Sequence, residues 1–134
     1  MTRTSSRIMT VLGILLVSAA CTRPIHQVEA SSYGWGPKKG VTLAQMQKTI
    51  EKTARDLEWQ LSDVKTGSFT ARRDWGANKH NIVVDVLYDE KSFSIRYKNS
   101  KNMSYDGDSI HHTYNDMVST LEDHIKKNIS TLTP

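Results

Sequence analysis

Residues 82–98, IVVDVLYDEKSFSIRYK, decide the fold. Ile82, Val84, Val86 and Tyr88 alternate with Val83, Asp85 and Leu87, and after four polar residues Phe93, Ile95 and Tyr97 alternate with Ser94, Arg96 and Lys98. Alternation with a period of two predicts strands with one buried face. A connection this short suits a hairpin, since parallel neighbours need a crossover of a dozen or more residues.

A third strand is predicted upstream, where Phe69 and Ala71 alternate with Thr70 and Arg72. The connection over residues 75–79 is also short and polar, so the three strands are expected to form an antiparallel meander.

Helical spacing flanks the meander on both sides. Thr42 and Gln45 form a capping-box pattern ahead of a helix to about Trp59, and Asp108 or Ser109 is expected to cap a second helix. The apolar positions of the two helices recur at steps of three and four: Leu43, Met46, Ile50, Ala54, Leu57, then Ile110, Tyr114, Met117, Val118, Leu121, Ile125, Ile129. The predicted fold is α+β: a helix, a three-stranded antiparallel meander and a helix, with both helices on one face of the sheet.

The first 20 residues have the layout of a signal peptide: Arg3 and Arg7 precede a mostly apolar stretch that is too short for a confident membrane span. The stretch Leu-Val-Ser-Ala-Ala-Cys over residues 16–21 resembles the lipobox of bacterial lipoproteins, with Ser18 in place of the commoner aliphatic residue. The resemblance implies that the Cys21 thiol carries lipid. The alternative is an ordinary secretory signal and a secreted periplasmic product with a free cysteine.

The expected organisation is therefore a signal peptide over residues 1–20, a lipidated Cys21 with a flexible tether over residues 21–40, and one domain over residues 41–134. The tether is inferred from Pro24, Gly34, Gly36, Pro37 and Gly40. On this interpretation the domain should fold without residues 1–37.

Three segments look like a family of small bacterial lipoproteins and secreted proteins without an assigned activity: the SIRY run at residues 94–97, residues 99–103, and the IHHTYN run at residues 110–115. The similarity covers roughly residues 57–125. It implies an envelope location and this fold, and it implies no reaction.

Charge argues against nucleic acid as a partner. Of the 18 basic residues, Arg3 and Arg7 belong to the signal peptide, which leaves 16 against 14 acidic residues, interspersed along the chain. The expected partner is a membrane, through the N-terminal lipid, with an envelope protein or a second copy as a further possibility. Thr22, which is not the aspartate that favours inner-membrane retention in enterobacteria-like systems, indicates the outer membrane, facing the periplasm.

Catalytic patterns are absent from the sequence: there is no nucleophile elbow, Gly-rich phosphate loop, H-E-x-x-H motif or EF-hand loop. We therefore expect a binding or structural protein, neither an enzyme nor dependent on a cofactor. A small-molecule or metal binder using the neighbourhood of His111 is the alternative, followed by a weak hydrolase using carboxylates among Asp85, Asp89, Asp106 and Asp108.

The predicted interaction surface consists of five residues: Val83, Leu87, Tyr97, His111 and Asn115. Val83 and Leu87 are expected on the outer sheet face. A shallow ligand site, if present, is expected at Tyr97 and His111 together with Tyr105. His111 and Asn115 are expected to cap backbone groups of the 99–107 loop. His112 and Asp116, four apart on a helix, are too few donors for a metal site. Trp35 and Trp75 are expected to have core or solvent-shielding roles, with stacking on sugars of the cell wall as the alternative.

Overall fold

The structure is a computed structural model that describes residues 21–34 and 40–134. The predicted signal peptide and Trp35 lie outside the described residues. The α+β class is confirmed: the described chain forms two helices, a five-stranded antiparallel sheet and a separate two-stranded sheet.

Nine elements follow one another along the chain. They are β1 (Thr22–Pro24), β2 (Val28–Ser32), α1 (Leu43–Asp56), β3 (Gln60–Lys65), β4 (Ser68–Trp75), β5 (His80–Tyr88), β6 (Ser92–Lys101), β7 (Ser109–His111) and α2 (His112–Ser130).

The large sheet has the order β2-β6-β5-β4-β3, and every neighbouring pair is antiparallel. Its centre is the predicted meander, in which Val84 lies opposite Ala71 on one side and Tyr97 on the other. The predicted number of strands is wrong, because β3 and β2 extend the sheet at its two edges. Both were missed because edge strands with exposed side chains carry little apolar alternation.

Strand β2 and the short strand β1 also correct the predicted tether. Residues 22–24 and 28–32, expected to be flexible linker, pair with β7 and β6 respectively. Val28 and Tyr33 are 2% and 4% exposed and belong to the hydrophobic core. The physical reason is that this polar stretch is ordered by backbone pairing with distant strands, and composition alone does not report such pairing.

Helix α1 begins as predicted. Thr42 accepts a hydrogen bond from the Gln45 amide, and the Gln45 side chain accepts one from the Thr42 amide. The helix ends at Asp56, earlier than expected, because the chain turns through Glu58 at a φ of 67° before buried Trp59.

Helix α2 begins later than predicted, so the expected cap at Asp108 or Ser109 is wrong. Ser109–His111 forms β7, and the His111 side chain is the N-cap, accepting from the Thr113 amide. Asp106 stabilises the turn that precedes β7, because its carboxylate accepts hydrogen bonds from the amides of Asp108 and Ser109.

One hydrophobic cluster joins both helices to the inward-facing residues of the sheet. Its fully buried members include Ile50 of α1, Val84 and Ile95 of the sheet, and Leu121 and Ile125 of α2. Most residues of the predicted apolar stripes are therefore buried in this core, while Leu43, Leu57 and Met117 are partly buried and pack against it.

Candidate functional site

Cys21 is the first residue that the structure describes. The residue is exposed, and its carbonyl accepts a hydrogen bond of 3.0 Å from the amide of His112, at the start of α2. Strand β1 then pairs Thr22 with His111 and Pro24 with Ser109. The predicted lipidation residue is thus fixed at its backbone to β7 and α2. We call residues 21–33, which continue from it through β1 and β2, the N-terminal arm.

Asn115 holds the middle of the N-terminal arm. Its Oδ1 accepts a hydrogen bond from the His26 amide at 2.8 Å, and its Nδ2 donates to the Pro24 carbonyl at 2.9 Å. The expectation that Asn115 caps the 99–107 loop is therefore wrong. The structural role in hydrogen bonding remains, but the backbone it satisfies lies about 90 residues earlier in the chain.

Glu122, which follows Asn115 along α2, also binds the N-terminal arm. Its carboxylate contacts His26 Nε2 at 2.9 Å, accepts from Ser31 Oγ at 3.0 Å, and pairs with Lys126 at 3.0 Å. Burial raises the pKa of Glu122, but the hydrogen bonds from His26, Lys126 and Ser31 outweigh that effect and hold it below the ordinary value. Glu122 is thus a carboxylate stabilised in its ionised form by the arm.

The end of the arm is tied to the sheet. Glu29 forms a bidentate pair with Arg96 at 2.9 and 3.0 Å, which lowers the Glu29 pKa. Tyr33 stacks on Phe93 with ring centroids 5.4 Å apart, and its hydroxyl donates to the carbonyls of Asp89 and Ser92. None of these arm contacts has a local sequence signal, since the partners lie 56 or more residues apart.

The predicted interaction surface does not form one patch. Val83 and Leu87 lie on the outer face of β5 and are half-buried. Tyr97 points to the core side, where its ring lies at 32° to that of Tyr105, with centroids 4.0 Å apart, and meets the edge of Tyr114. His111 and Asn115 lie at the junction of the arm with α2.

The outer face of the sheet carries an open groove of about 330 Å³ near Leu87. Charged side chains from three strands line it, and they bind one another: Asp85 accepts from Thr70 at 2.7 Å and pairs with Lys98 at 3.2 Å. This face therefore combines a half-buried aliphatic residue with a charged, hydrogen-bonded network.

A smaller cavity of about 200 Å³ lies beside His111. Trp75 and His80 stack there with centroids 5.5 Å apart and planes at 16°, and Asn102, Met103 and Thr113 complete the lining. His80 Nδ1 lies 3.3 Å from the Asn102 carbonyl and so carries a proton, whereas His111 Nδ1 accepts from the Thr113 amide. In their neutral forms the two imidazoles then offer one acceptor and one donor.

The remaining candidates have local partners. His112 Nδ1 lies 3.0 Å from Asp116, the i,i+4 contact that the sequence allowed. Asp89 and Asp106 accept hydrogen bonds from turn amides, which lowers the pKa of each. Over residues 21–34 and 40–134, no three His, Cys, Asp or Glu side chains cluster as a metal site would require. The helices in those same ranges are too short or too polar to cross a bilayer.

Comparisons with protein-family models, with curated proteins and with solved structures found no match to this chain.

Proposed function

We propose that this protein is a lipoprotein of the bacterial cell envelope, held in a membrane by lipid on Cys21, with a binding or structural role and no catalytic one. The observation that carries the proposal is the sequence of residues 1–21, in which a basic start and an apolar stretch lead to small residues and the chain's single cysteine. The exposed position of Cys21 is compatible with attached lipid.

Intact mass and membrane partitioning, measured after expression in a Gram-negative host, test the anchor. We expect a mature product that starts at a diacylated or triacylated Cys21 and partitions with membranes. The Cys21→Ser variant should stay unprocessed or lose its lipid. A soluble wild-type product without lipid, cut at another position, would contradict the proposal.

The membrane we propose is the outer one, with the domain facing the periplasm. Thr22 follows the lipidated residue, and an aspartate there favours inner-membrane retention in enterobacteria-like hosts. Density fractionation should place the wild type in the outer membrane and shift Thr22→Asp toward the inner membrane. Equal distribution of the two proteins would refute the assignment.

The binding role is placed on the outer sheet face around Val83 and Leu87. Its support is the hydrogen-bonded network of Thr70, Asp85 and Lys98 beside half-buried Val83 and Leu87, a mixture of polar and aliphatic groups of the kind found at protein interfaces. A photo-crosslinking residue at position 87 should trap an envelope partner in cells. Val83→Asp should abolish that adduct, while His111→Ala, with matched stability, should leave it.

The cavity beside His111 supports a second candidate, a binder of a small polar molecule with an aromatic or planar part. Trp75 and His80 provide a stacked ring surface, and the two imidazoles provide one donor and one acceptor. A metal ion suits it less, because His111 already uses Nδ1 as an acceptor and holds its proton on Nε2. Imidazole and indole titrations followed by Trp fluorescence test this candidate. Saturable binding that His111→Ala removes and Val83→Asp retains would favour it over the sheet-face proposal.

A further inference from the structure

The N-terminal arm leaves no free length between the proposed lipid and the folded domain. We propose that the domain lies directly against the lipid headgroups in one orientation, with β1, β7 and the first turn of α2 toward the bilayer. This inference rests on the proposed lipidation of Cys21, and it replaces the tethered arrangement that composition suggests.

The length of free chain after Cys21 decides how far the domain can lie from the membrane. A flexible spacer of 12 residues would have an average reach of about 20 Å and would let a domain tumble above the membrane. Here the Cys21 carbonyl is already bonded to the His112 amide, and Thr22 already pairs with His111. Lipid on the Cys21 sulfur is therefore separated from the folded domain by only the cysteine side chain.

Consecutive contacts attach the N-terminal arm to the domain. After β1, the Ile25 amide donates to the Asp108 carbonyl at 2.9 Å, and Asn115 binds both Pro24 and His26. Val28 is then buried in the core. Because these contacts follow one another without a gap, freeing enough chain to act as a spacer requires several of them to break together.

The protein surface next to Cys21 carries polar and charged side chains. Arg23 is exposed there, and the rings of His111 and His112 lie 4.5 Å apart. A phospholipid surface presents phosphates, which can pair with a guanidinium. The partner that this face fits is therefore the headgroup layer of the bilayer that holds the lipid.

The test measures how close two points of the mature lipoprotein lie to the headgroups. A fluorophore is attached to a new cysteine at the start of α2, in Asp116→Cys, or just beyond its end, in Thr131→Cys. The second site lies about 28 Å along the helix from His112, at 1.5 Å per residue. The protein is reconstituted into phosphatidylethanolamine and phosphatidylglycerol vesicles that carry a headgroup quencher. Unmutated protein, whose only thiol carries lipid, is the labelling control.

A matched variant has ten Gly and Ser residues inserted between Cys21 and Thr22, which keeps every native side chain and adds an average reach of about 17 Å. We expect the probe at position 116 to be quenched about threefold more than the probe at 131 in the native protein. In the spacer variant the two should be quenched about equally and weakly. A native protein without that difference, or a spacer that leaves the probe at 116 unchanged, would overturn the inference.

Intact mass, measured on each reconstituted sample, separates this inference from the proposed function. A sample without lipid on Cys21 contradicts both. A lipidated sample that fails the quenching test contradicts direct docking alone and leaves the lipoprotein proposal standing.

Discussion

Asn115 accepts a hydrogen bond from the backbone amide of His26 at 2.8 Å, across 89 residues of chain. The same side chain donates to the Pro24 carbonyl, so one amide satisfies two backbone groups of the N-terminal arm. This relationship connects the segment after Cys21 to the first turns of α2, and it contributes to how firmly Cys21 is held.

Replacing Asn115 with alanine should destabilise the protein by about 1–3 kcal/mol, because two backbone groups lose their partner. Amide hydrogen exchange should accelerate in residues 22–26 more than in the central strands. Denaturant unfolding and exchange measured by mass spectrometry check both effects.

Asp123→Ala is the matched control for Asn115→Ala, since Asp123 is an exposed residue on the same helix. We expect its effect to be within about 0.5 kcal/mol. Equal effects of the two variants would contradict the role assigned to Asn115.

Glu122 should make stability depend on acid. Its pKa in the folded protein lies below the ordinary value of 4.5, so its contribution is present above that pH and disappears as the pH falls through the folded pKa. Glu122→Gln should therefore be less stable than wild type at pH 7, by about 1 kcal/mol, and the difference should shrink below pH 4.5.

Urea unfolding of both proteins between pH 3 and 7 measures this difference. Asp123→Asn provides the comparison for a surface carboxylate on the same helix. A gap between wild type and Glu122→Gln that stays constant over this pH range would show that the arm does not stabilise the ionised form.

Adjacent valines in β5 should respond differently to truncation. Val84 is fully buried, so Val84→Ala should cost about 2–3 kcal/mol through lost burial and a cavity. Val83 lies half-buried on the outer face, and Val83→Ala should cost less than about 1 kcal/mol. Chemical denaturation of the two variants checks the facing of the strand, and similar costs would contradict it.

Two buried tyrosines form another matched pair. The Tyr33 hydroxyl donates to two carbonyls, whereas the Tyr114 hydroxyl has no hydrogen-bond partner among the described residues. Tyr33→Phe should therefore cost about 1–2 kcal/mol, and Tyr114→Phe should be neutral or stabilising. Thermal and urea unfolding measure both, and a larger loss for Tyr114→Phe would reverse the assignment.

Truncation tests the arm as a whole. A protein lacking residues 1–20 keeps every described residue and should remain folded. Removal of residues 1–33 also deletes buried Val28 and Tyr33 and the edge strand β2, so it should lose several kcal/mol. Circular dichroism and urea unfolding compare the two, and equal stability would restore the flexible-tether interpretation of residues 22–32.

The sequence predicted those parts of the fold whose signal is local. The alternation in residues 82–98 located the meander, and the pattern at Thr42 and Gln45 located the start of α1, because periodicity and capping depend on neighbours within a few residues. The same alternation predicted which side of the sheet each residue faces, since successive side chains along a strand point to opposite sides.

The candidate site was only partly predictable. His111 and Asn115 were selected from the sequence, but Asn115 was matched with the wrong backbone segment. Its contacts with Pro24 and His26 form only after the two ends of the chain have been brought together. His26 and Glu122 were missed altogether, because their pairing spans 96 residues.

By itself the sequence determined the α+β class, the meander, the apolar stripes of both helices and the facing of β5, all of which follow from local periodicity. Only the tertiary structure decided that residues 22–24 and 28–32 are strands, that the large sheet has five strands, and that the Cys21 carbonyl is hydrogen-bonded to the start of α2. The reason is physical: a polar segment without its own apolar pattern becomes ordered when its backbone groups find partners elsewhere in the fold, and those partners are set by three-dimensional packing.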